Sequence, residues 1–418
     1  MGESLKRILF FAAACALLLT GCMRREAPAA EETTVTEAQT VVETQTVHTA
    51  PDDLDENACG ETLTWNLSSG GTLTISGEGD MYDFPAAPWS ADRLNVYRIV
   101  VESGVTGVGE NAFANCEKAY SVTLPDTLER IGKGAFSGCV KLSSVRIPNG
   151  VRTLEERCFE GCSALWSVTL PESLREIGSR TFNLCDHLSD AKLPDGLVKI
   201  GDEAFAFCER IYSCRIPSSL THLGENAFVR CTRLSRFTVP DENPNFAADS
   251  RGVLYSKKMT ILLVFPYAYG ESSYTVQDSV REIGDGAFAY CDGLRRVTIP
   301  NTVETIGARA FYNCNNLESV TLPQGLTVVA REMFANSESL REIALPDTVT
   351  EIRTGAFEGC TGLEEITIPE SVSVIERDAF GNCAGLTVRV EGKSIAVEGW
   401  NVYWVDPNAT VLWEDADA

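Results

Sequence analysis

Histidine is scarce. The 418-residue chain has three, His48, His187 and His222. Imidazole is the commonest general base and a frequent metal ligand, so most acid–base and zinc chemistry lacks its usual side chain. No His-Glu-x-x-His, Gly-x-Ser-x-Gly or phosphate-loop pattern occurs. Gly132-Lys133-Gly134 has the look of a glycine-rich loop, but it falls in a recurring turn described below. Positive charge is in deficit: 35 Lys and Arg against 59 Asp and Glu leave a net −24. Such a field repels polyanions, which argues against nucleic acid and a bare anionic membrane as partners. Long apolar runs are missing as well. The longest, Ile8 to Leu19, has 12 residues, where spanning a bilayer takes about 20. These absences point to a non-catalytic protein without cofactor or metal.

Lys6 and Arg7 precede the apolar run, and Leu19-Thr20-Gly21-Cys22 close it. A basic start, a short apolar stretch and small residues form a secretion signal. The last four residues resemble the bacterial lipobox. The resemblance implies cleavage before Cys22, whose thiol would then carry lipid. Two or three acyl chains suffice for stable anchoring. Met23, not Asp, follows the cysteine, which in a two-membrane cell argues against retention at the inner membrane. Residues 23 to 57 are rich in Thr, Glu, Ala, Gln and Val and hold no aromatic residue. They read as a disordered tether, with an r.m.s. span of about 30–35 Å.

What the chain has in abundance is a beat. Phenylalanine recurs every 23 residues at Phe113, Phe136, Phe159, Phe182, Phe205 and Phe228, and again at Phe288, Phe311, Phe334, Phe357 and Phe380. A period between 20 and 29 marks a solenoid. Counted from each Phe, a Leu or Ile falls at plus six, as in Leu142 and Leu165. Apolar residues at plus nine and plus eleven, Val145 and Ile147 for instance, alternate with polar ones. That is the period of a strand. A proline such as Pro148 or Pro171 ends the strand, where no ladder donor is needed. Further apolar residues, such as Leu174 and Ile177, turn inward before the next Ala-Phe segment, which is expected to be a short helix or turn on the outer side.

The Ala-Phe-x-x-Cys-x-x-Leu-x-x-Val-x-Leu-Pro pattern resembles the BspA-like leucine-rich repeat family of bacterial surface proteins. It covers roughly residues 105 to 386, in eleven Phe-centred units. Departures are few: Cys158, Thr181 and Met333 replace the Ala, Ser337 the Cys, and Ala119 the Leu. The expected fold is an α/β-type repeat solenoid, a right-handed coil of 23-residue units. It has short parallel strands on a concave face, short helices or turns outside, and β-rich caps. The expected organisation is a signal peptide (1–21), a lipidated Cys22 with tether (22–57), an N-terminal β cap (58–104), repeats (105–386) and a C-terminal cap (387–418). The hairpin pattern of Leu63–Leu67 and Thr72–Ile75 builds the first cap, and Trp400, Trp404 and Trp413 the second. A long unit, 241–280, fills the gap between Phe228 and Phe288 and contains a second hairpin around Lys257-Lys258. Its tyrosines, Tyr255, Tyr267, Tyr269 and Tyr274, leave open whether it pads the coil or protrudes as a binding feature.

Fifteen cysteines are present. Ten stand three residues after the Phe, from Cys116 to Cys383. One slot repeated in every turn suits a small buried filler better than a disulfide partner. The sequence leaves open a bridge among Cys59, Cys158 and Cys214. Metal binding lacks both the spacing and the histidines.

Side chains eight and ten after each Phe point out of the strand. Most are Ser or Thr, good exposed-strand residues. Arg146, Lys192, Arg215, Arg236 and Arg296 differ, gathering basic charge on one face of an acidic chain. Trp166 and Tyr212, at plus seven, stand at its rim. These seven residues are the candidate ligand-binding set. What the family resemblance implies is adhesion. The expected partner is an extracellular protein or polysaccharide, the membrane is met through the lipid anchor only, and the chain is expected to be a monomer exposed on the bacterial surface. The alternative is a structural envelope component that docks other envelope proteins.

Overall fold

The computed structural model describes residues 49–51, 55–190, 192–395 and 398–414, the last residue by its backbone. The signal run, Cys22, His48 and most of the tether lie outside the described residues. From the first cap onward the chain winds as a coil, and each 23-residue turn has three sides.

The first side is the strand anticipated from alternation. Ser144–Arg146 and Ser167–Thr169 pair parallel, with Ser144 opposite Ser167, Val145 opposite Val168 and Arg146 opposite Thr169. Partners thus sit one period apart, so like stacks on like. The middle Val faces the core and its neighbours face solvent. The same register joins Ser213–Arg215 to Arg236–Thr238, and Ser273–Thr275 through Arg296–Thr298 to Ser319–Thr321.

The second side is also a ladder, which the alternation did not announce because each strand is only two residues long. Arg130–Ile131, Thr153–Leu154, Glu176–Ile177, Lys199–Ile200 and His222–Leu223 belong to one parallel sheet. The Ile or Leu of each pair points inward and the polar residue outward.

The third side carries the Ala-Phe segment. No α-helix occurs among the described residues; the one helix is a 3₁₀ segment, Ser90–Asn95, in the first cap. The outer side is instead a row of tight turns. Residues two before and two after each Phe take the left-handed conformation, as do Gly134 (φ 59°) and Gly138 (φ 72°) around Phe136. Glycine adopts it at no steric cost. This geometry swings alternate N–H groups toward the next turn: Gly134, Phe136 and Gly138 donate to the carbonyls of Glu156, Cys158 and Glu160 at 2.9, 2.8 and 2.7 Å. A short helix would have kept those donors to itself. Gly132-Lys133-Gly134 is therefore a structural turn.

Inside runs an aromatic spine. Phe113, Phe136, Phe159, Phe182, Phe205 and Phe228 stack face to face at 5.2 to 5.7 Å, one ring per turn. Trp89 stacks on Phe113 at 5.6 Å and closes the first end. Trp404 meets Phe380 edge-on at 5.8 Å and closes the last. The caps also continue the strand ladder. Thr72–Ser76 pairs antiparallel with Thr64–Leu67 and parallel with Arg98–Val101, and Thr387–Glu391 pairs parallel with Thr410–Glu414.

The thirteen described cysteines are buried and free, Cys59, Cys158 and Cys214 included. The ladder slot has a use beyond filling space. Eight of the ten ladder thiols donate to the carbonyl of the Phe one turn back, for example Cys162 to Phe136 and Cys208 to Phe182, both at 3.2 Å. Ser337, the exception in sequence, makes the same bond to Phe311 at 2.9 Å.

The long unit holds the expected hairpin, Leu254–Ser256 against Ile261–Val264, and returns to the first ladder at Ser273–Thr275. One feature differs from the reading of a 60-residue gap in the beat. Phe265 lies 37 residues after Phe228, 14 more than one period, yet it packs on Phe288 at 4.9 Å. Its N–H donates to the carbonyl of Ala287, as those of Phe113, Phe136 and Phe288 do to Ala135, Cys158 and Ala310. The excess loop pads the coil: Tyr255 and Tyr274 are buried and share a hydroxyl–hydroxyl bond of 2.6 Å. The spine breaks between Phe228 and Phe265, and the apolar core divides there into two clusters.

Candidate ligand-binding face

The first ladder fixes where its outward side chains stand. Because partners are one period apart, the residues at plus seven, eight and ten form three columns along the coil axis.

At plus ten, the sequence-singled cations are all exposed, and most already have carboxylate neighbours. Arg146 pairs with Asp126 at 3.0 Å, and Arg215 with Asp195 at 2.6 Å. Each Asp follows the proline of the preceding unit, 20 residues back. Lys192 pairs with Asp190 at 3.5 Å and lies where the described residues form no strand. At plus eight, Arg296 reaches Glu318 at 3.6 Å. Arg236 makes no ion pair among the described residues. Exposed pairs like these contribute little stability, but they cancel the field that sequence alone assigned to the patch.

At plus seven the column is of another kind. Trp166 and Tyr212 are 56% and 64% exposed, and two residues that sequence reading passed over, Tyr97 and Tyr120, are 40% and 43% exposed in the same column. Backbone bonds place them on successive rungs: Tyr120 donates to Tyr97 at 3.0 Å, and Trp166 to Ser143 at 2.9 Å. Between the last three aromatics stand serines, giving Tyr120, Ser143, Trp166, Ser189, Tyr212, Ser235 over six turns. Each serine hydroxyl turns inward to the carbonyl of the aromatic residue before it: Ser143 to Tyr120, Ser189 to Trp166 and Ser235 to Tyr212, at 3.4, 3.2 and 3.1 Å. The serines thus form low floors between rings. After the long unit the same column reads Arg295, Glu318, Arg341, Glu364, an alternation of charge that includes an Arg295–Glu318 ion pair.

Asp186, four residues after Phe182, has its carboxyl pushed up to about 6 by burial, with the Glu209 charge adding to it and His187 opposing it. His187 itself bonds the Ser163 carbonyl through Nδ1 at 2.8 Å, and His222 sits on the second side of the coil. No group of three or more His, Cys, Asp or Glu able to hold a metal occurs among the described residues. No described helix is long and apolar enough to cross a membrane. A cavity of about 270 Å³ at the first cap is lined by Trp89, Arg93, Asn115 and Cys116 among others. Burial pushes the Cys116 thiol there up to about 12, so it is a poor nucleophile.

No curated protein matches the chain. Among solved structures, a leucine rich cell surface protein from Faecalibacterium prausnitzii is 28% identical, with a TM-score of 0.69 over 82% of this chain and 97% of that one. A leucine-rich repeat protein from Eubacterium ventriosum (22% identity, TM-score 0.59, 84% and 94% coverage) shares the fold. So does the pneumococcal vaccine antigen PcpA (19%, 0.61, 85% and 97%). The family model described as BspA type leucine rich repeat region matches residues 92–186, 153–250 and 264–387, in six copies. Spine, strand, proline and cysteine slots all fall within those spans, and the chain belongs to the BspA type leucine-rich repeat family.

Proposed function

We propose that the protein is a lipid-anchored binding protein of the bacterial surface, non-catalytic, that recognises an extracellular protein or glycan through the outward face of its first strand ladder. The observation that carries this reading is the plus-seven column, where large aromatic side chains stand in solvent on a rigid repeat. Exposed aromatics cost solubility and are enriched where proteins bind. The cell-surface description of the Faecalibacterium relative supports the location. The lipobox ending in Cys22 supports the anchor, and residues 22–57 serve as its spacer. The strand face of about a dozen rungs is roughly 50 Å long at 4.7–4.9 Å per rung, which suits a polymer or a protein better than a metabolite.

The test is a binding screen of the full chain against arrayed extracellular matrix proteins and glycans, beside a variant carrying Trp166→Ala and Tyr212→Ala. A hit weakened in the variant supports this face. A hit kept in full moves the site to the caps or the long unit. No hit, with envelope proteins co-purifying instead, favours a scaffold role. Separately, Cys22→Ser should release the protein from the membrane fraction; unchanged membrane association would overturn the anchor.

A further inference from the structure

The plus-seven column has a period of its own. Tyr120, Trp166 and Tyr212 are 46 residues apart, two turns each, and serines hold the rungs between. At 4.7–4.9 Å per rung Tyr120 and Trp166 stand ~9.4–9.8 Å apart, and the column continues toward Tyr212 through Ser189, whose N–H bonds the Trp166 carbonyl at 3.4 Å although the residues around Lys192 form no strand. A polyproline II helix rises 3.1 Å per residue and repeats every three residues, about 9.3 Å. The two repeats are commensurate. A peptide with a proline ring at every third position would set one ring against each aromatic, over two turns of its helix.

The chemistry of the slots fits such a ligand. Ser143 and Ser189 have their hydroxyls committed to backbone carbonyls, so the floors are low and do not compete for polar partners. A proline-rich strand offers many carbonyls and few donors. The Trp166 indole N–H and the Tyr212 hydroxyl carry no hydrogen bond among the described residues and are exposed, so both can donate to those carbonyls. Tyr120 is held upright by Arg98, whose Nε bonds its hydroxyl and whose guanidinium lies 5.5 Å from its ring centre. The flanking cations are paired with Asp126, Asp190 and Asp195, so the face asks for an uncharged ligand. Aromatic ridges with grooves between them are how preformed, low-entropy proline helices are captured in general. The charged continuation of the column, from Arg295 to Glu364, has none of these features.

We propose that the aromatic–serine column from Tyr97 to Ser235 is a docking groove for an extended proline-rich peptide segment of an extracellular protein. The proposal rests on the reading of this face as the binding surface and names its ligand class.

The test is calorimetric titration of the full chain with a synthetic polyproline peptide of about nine residues, three turns of the helix. Trp166→Ala and Tyr212→Ala should each weaken binding about tenfold or more, the scale of an interface hot spot. Ser189→Trp, which fills the slot between those rings, should abolish it. Arg341→Ala, in the charged half, should change nothing. Circular dichroism and the melting temperature confirm that each variant folds. No binding of the peptide, or binding indifferent to Trp166→Ala and Ser189→Trp, overturns the proposal. The same variants are run on the matrix and glycan array. A glycan hit lost in Trp166→Ala, with no peptide binding, would sink the peptide ligand and keep the face. Array binding unaffected by any of the variants would sink both.

Discussion

At the scale of single residues the fold is built from slots whose rules are local, and departures from them are testable. The position two after each Phe is left-handed, and Gly or Asn fills it in most units. Leu184 occupies it at φ 60° with its side chain partly in solvent. A side chain with a Cβ in that region costs roughly 1–2 kcal/mol, less for Asn, whose amide bonds the local backbone. Leu184→Asn, matching Asn115 and Asn336, should therefore raise stability by about 0.5–1 kcal/mol in urea titration. The cysteine slot makes a second prediction. Burial pushes the Cys214 and Cys314 thiols up to about 12 and the Cys383 thiol up to about 11. Thiolate is the reactive form. The folded chain at pH 8 should thus resist alkylation at all the described cysteines and take up the label once unfolded, as read by mass spectrometry.

Asp186 gives the pH dependence. Its folded pKa is raised from 3.8 to about 6, so the folded state holds its proton where the unfolded chain has lost it. The carboxyl then costs nothing below about pH 4, and stability falls as pH rises from 4 through 6. Asp186→Asn should flatten that slope and raise the melting temperature at pH 7 by a few degrees. A steeper slope in the variant would contradict the assignment.

At the scale of elements, the strand ladder was legible in the sequence, and the reasons the rest was not are physical. Alternation at Val145 and Ile147, closed by Pro148, needs only a pleated strand and a missing donor. The second ladder hides because Glu176–Ile177 is too short to alternate. Tight turns replaced the helix option because what they require, left-handed backbone at two fixed slots, is satisfied by Gly and Asn in some units and overridden by Arg, Leu or Phe in others. Phe265 stands 23 residues before Phe288, on the second beat, and escaped because its flanking slots depart from the pattern, with Val264 in place of the Ala and Ala268 in place of the Cys. Its packing predicts that Phe265→Ala costs about 3–5 kcal/mol, as a buried spine ring does. A cost under 1 kcal/mol, measured by denaturant unfolding, would remove it from the spine. In the binding face, Trp166 and Tyr212 were legible by counting from their Phe. Tyr97 was not, since Trp89 stands where its reference Phe would be. The pairing of Arg146 with Asp126 and Arg215 with Asp195 joins residues of different turns and has no local signal.

At the scale of the whole molecule, a coil of this kind owes its stability to nearest-neighbour interfaces. The spine and the core are both interrupted at the long unit, with Phe237 edge-on to Phe228 on one side and Phe265 packed on Phe288 on the other. Unfolding should follow that seam. Hydrogen exchange is expected to show two blocks of protection meeting between residues 240 and 265, each with its own denaturant dependence. A single block with one dependence throughout would mean that contacts across the seam, such as Tyr267 packed against both clusters, couple the halves fully.

The aromatic–serine alternation carries a consequence for inheritance. Gain or loss of one 23-residue turn by slipped recombination leaves every core slot aligned, so the coil still closes. It inverts the order of rings and floors beyond the join, bringing two aromatics or two serines together. Change by two turns restores the order. Selection for folding alone is blind to this parity, whereas selection on the surface column distinguishes odd from even.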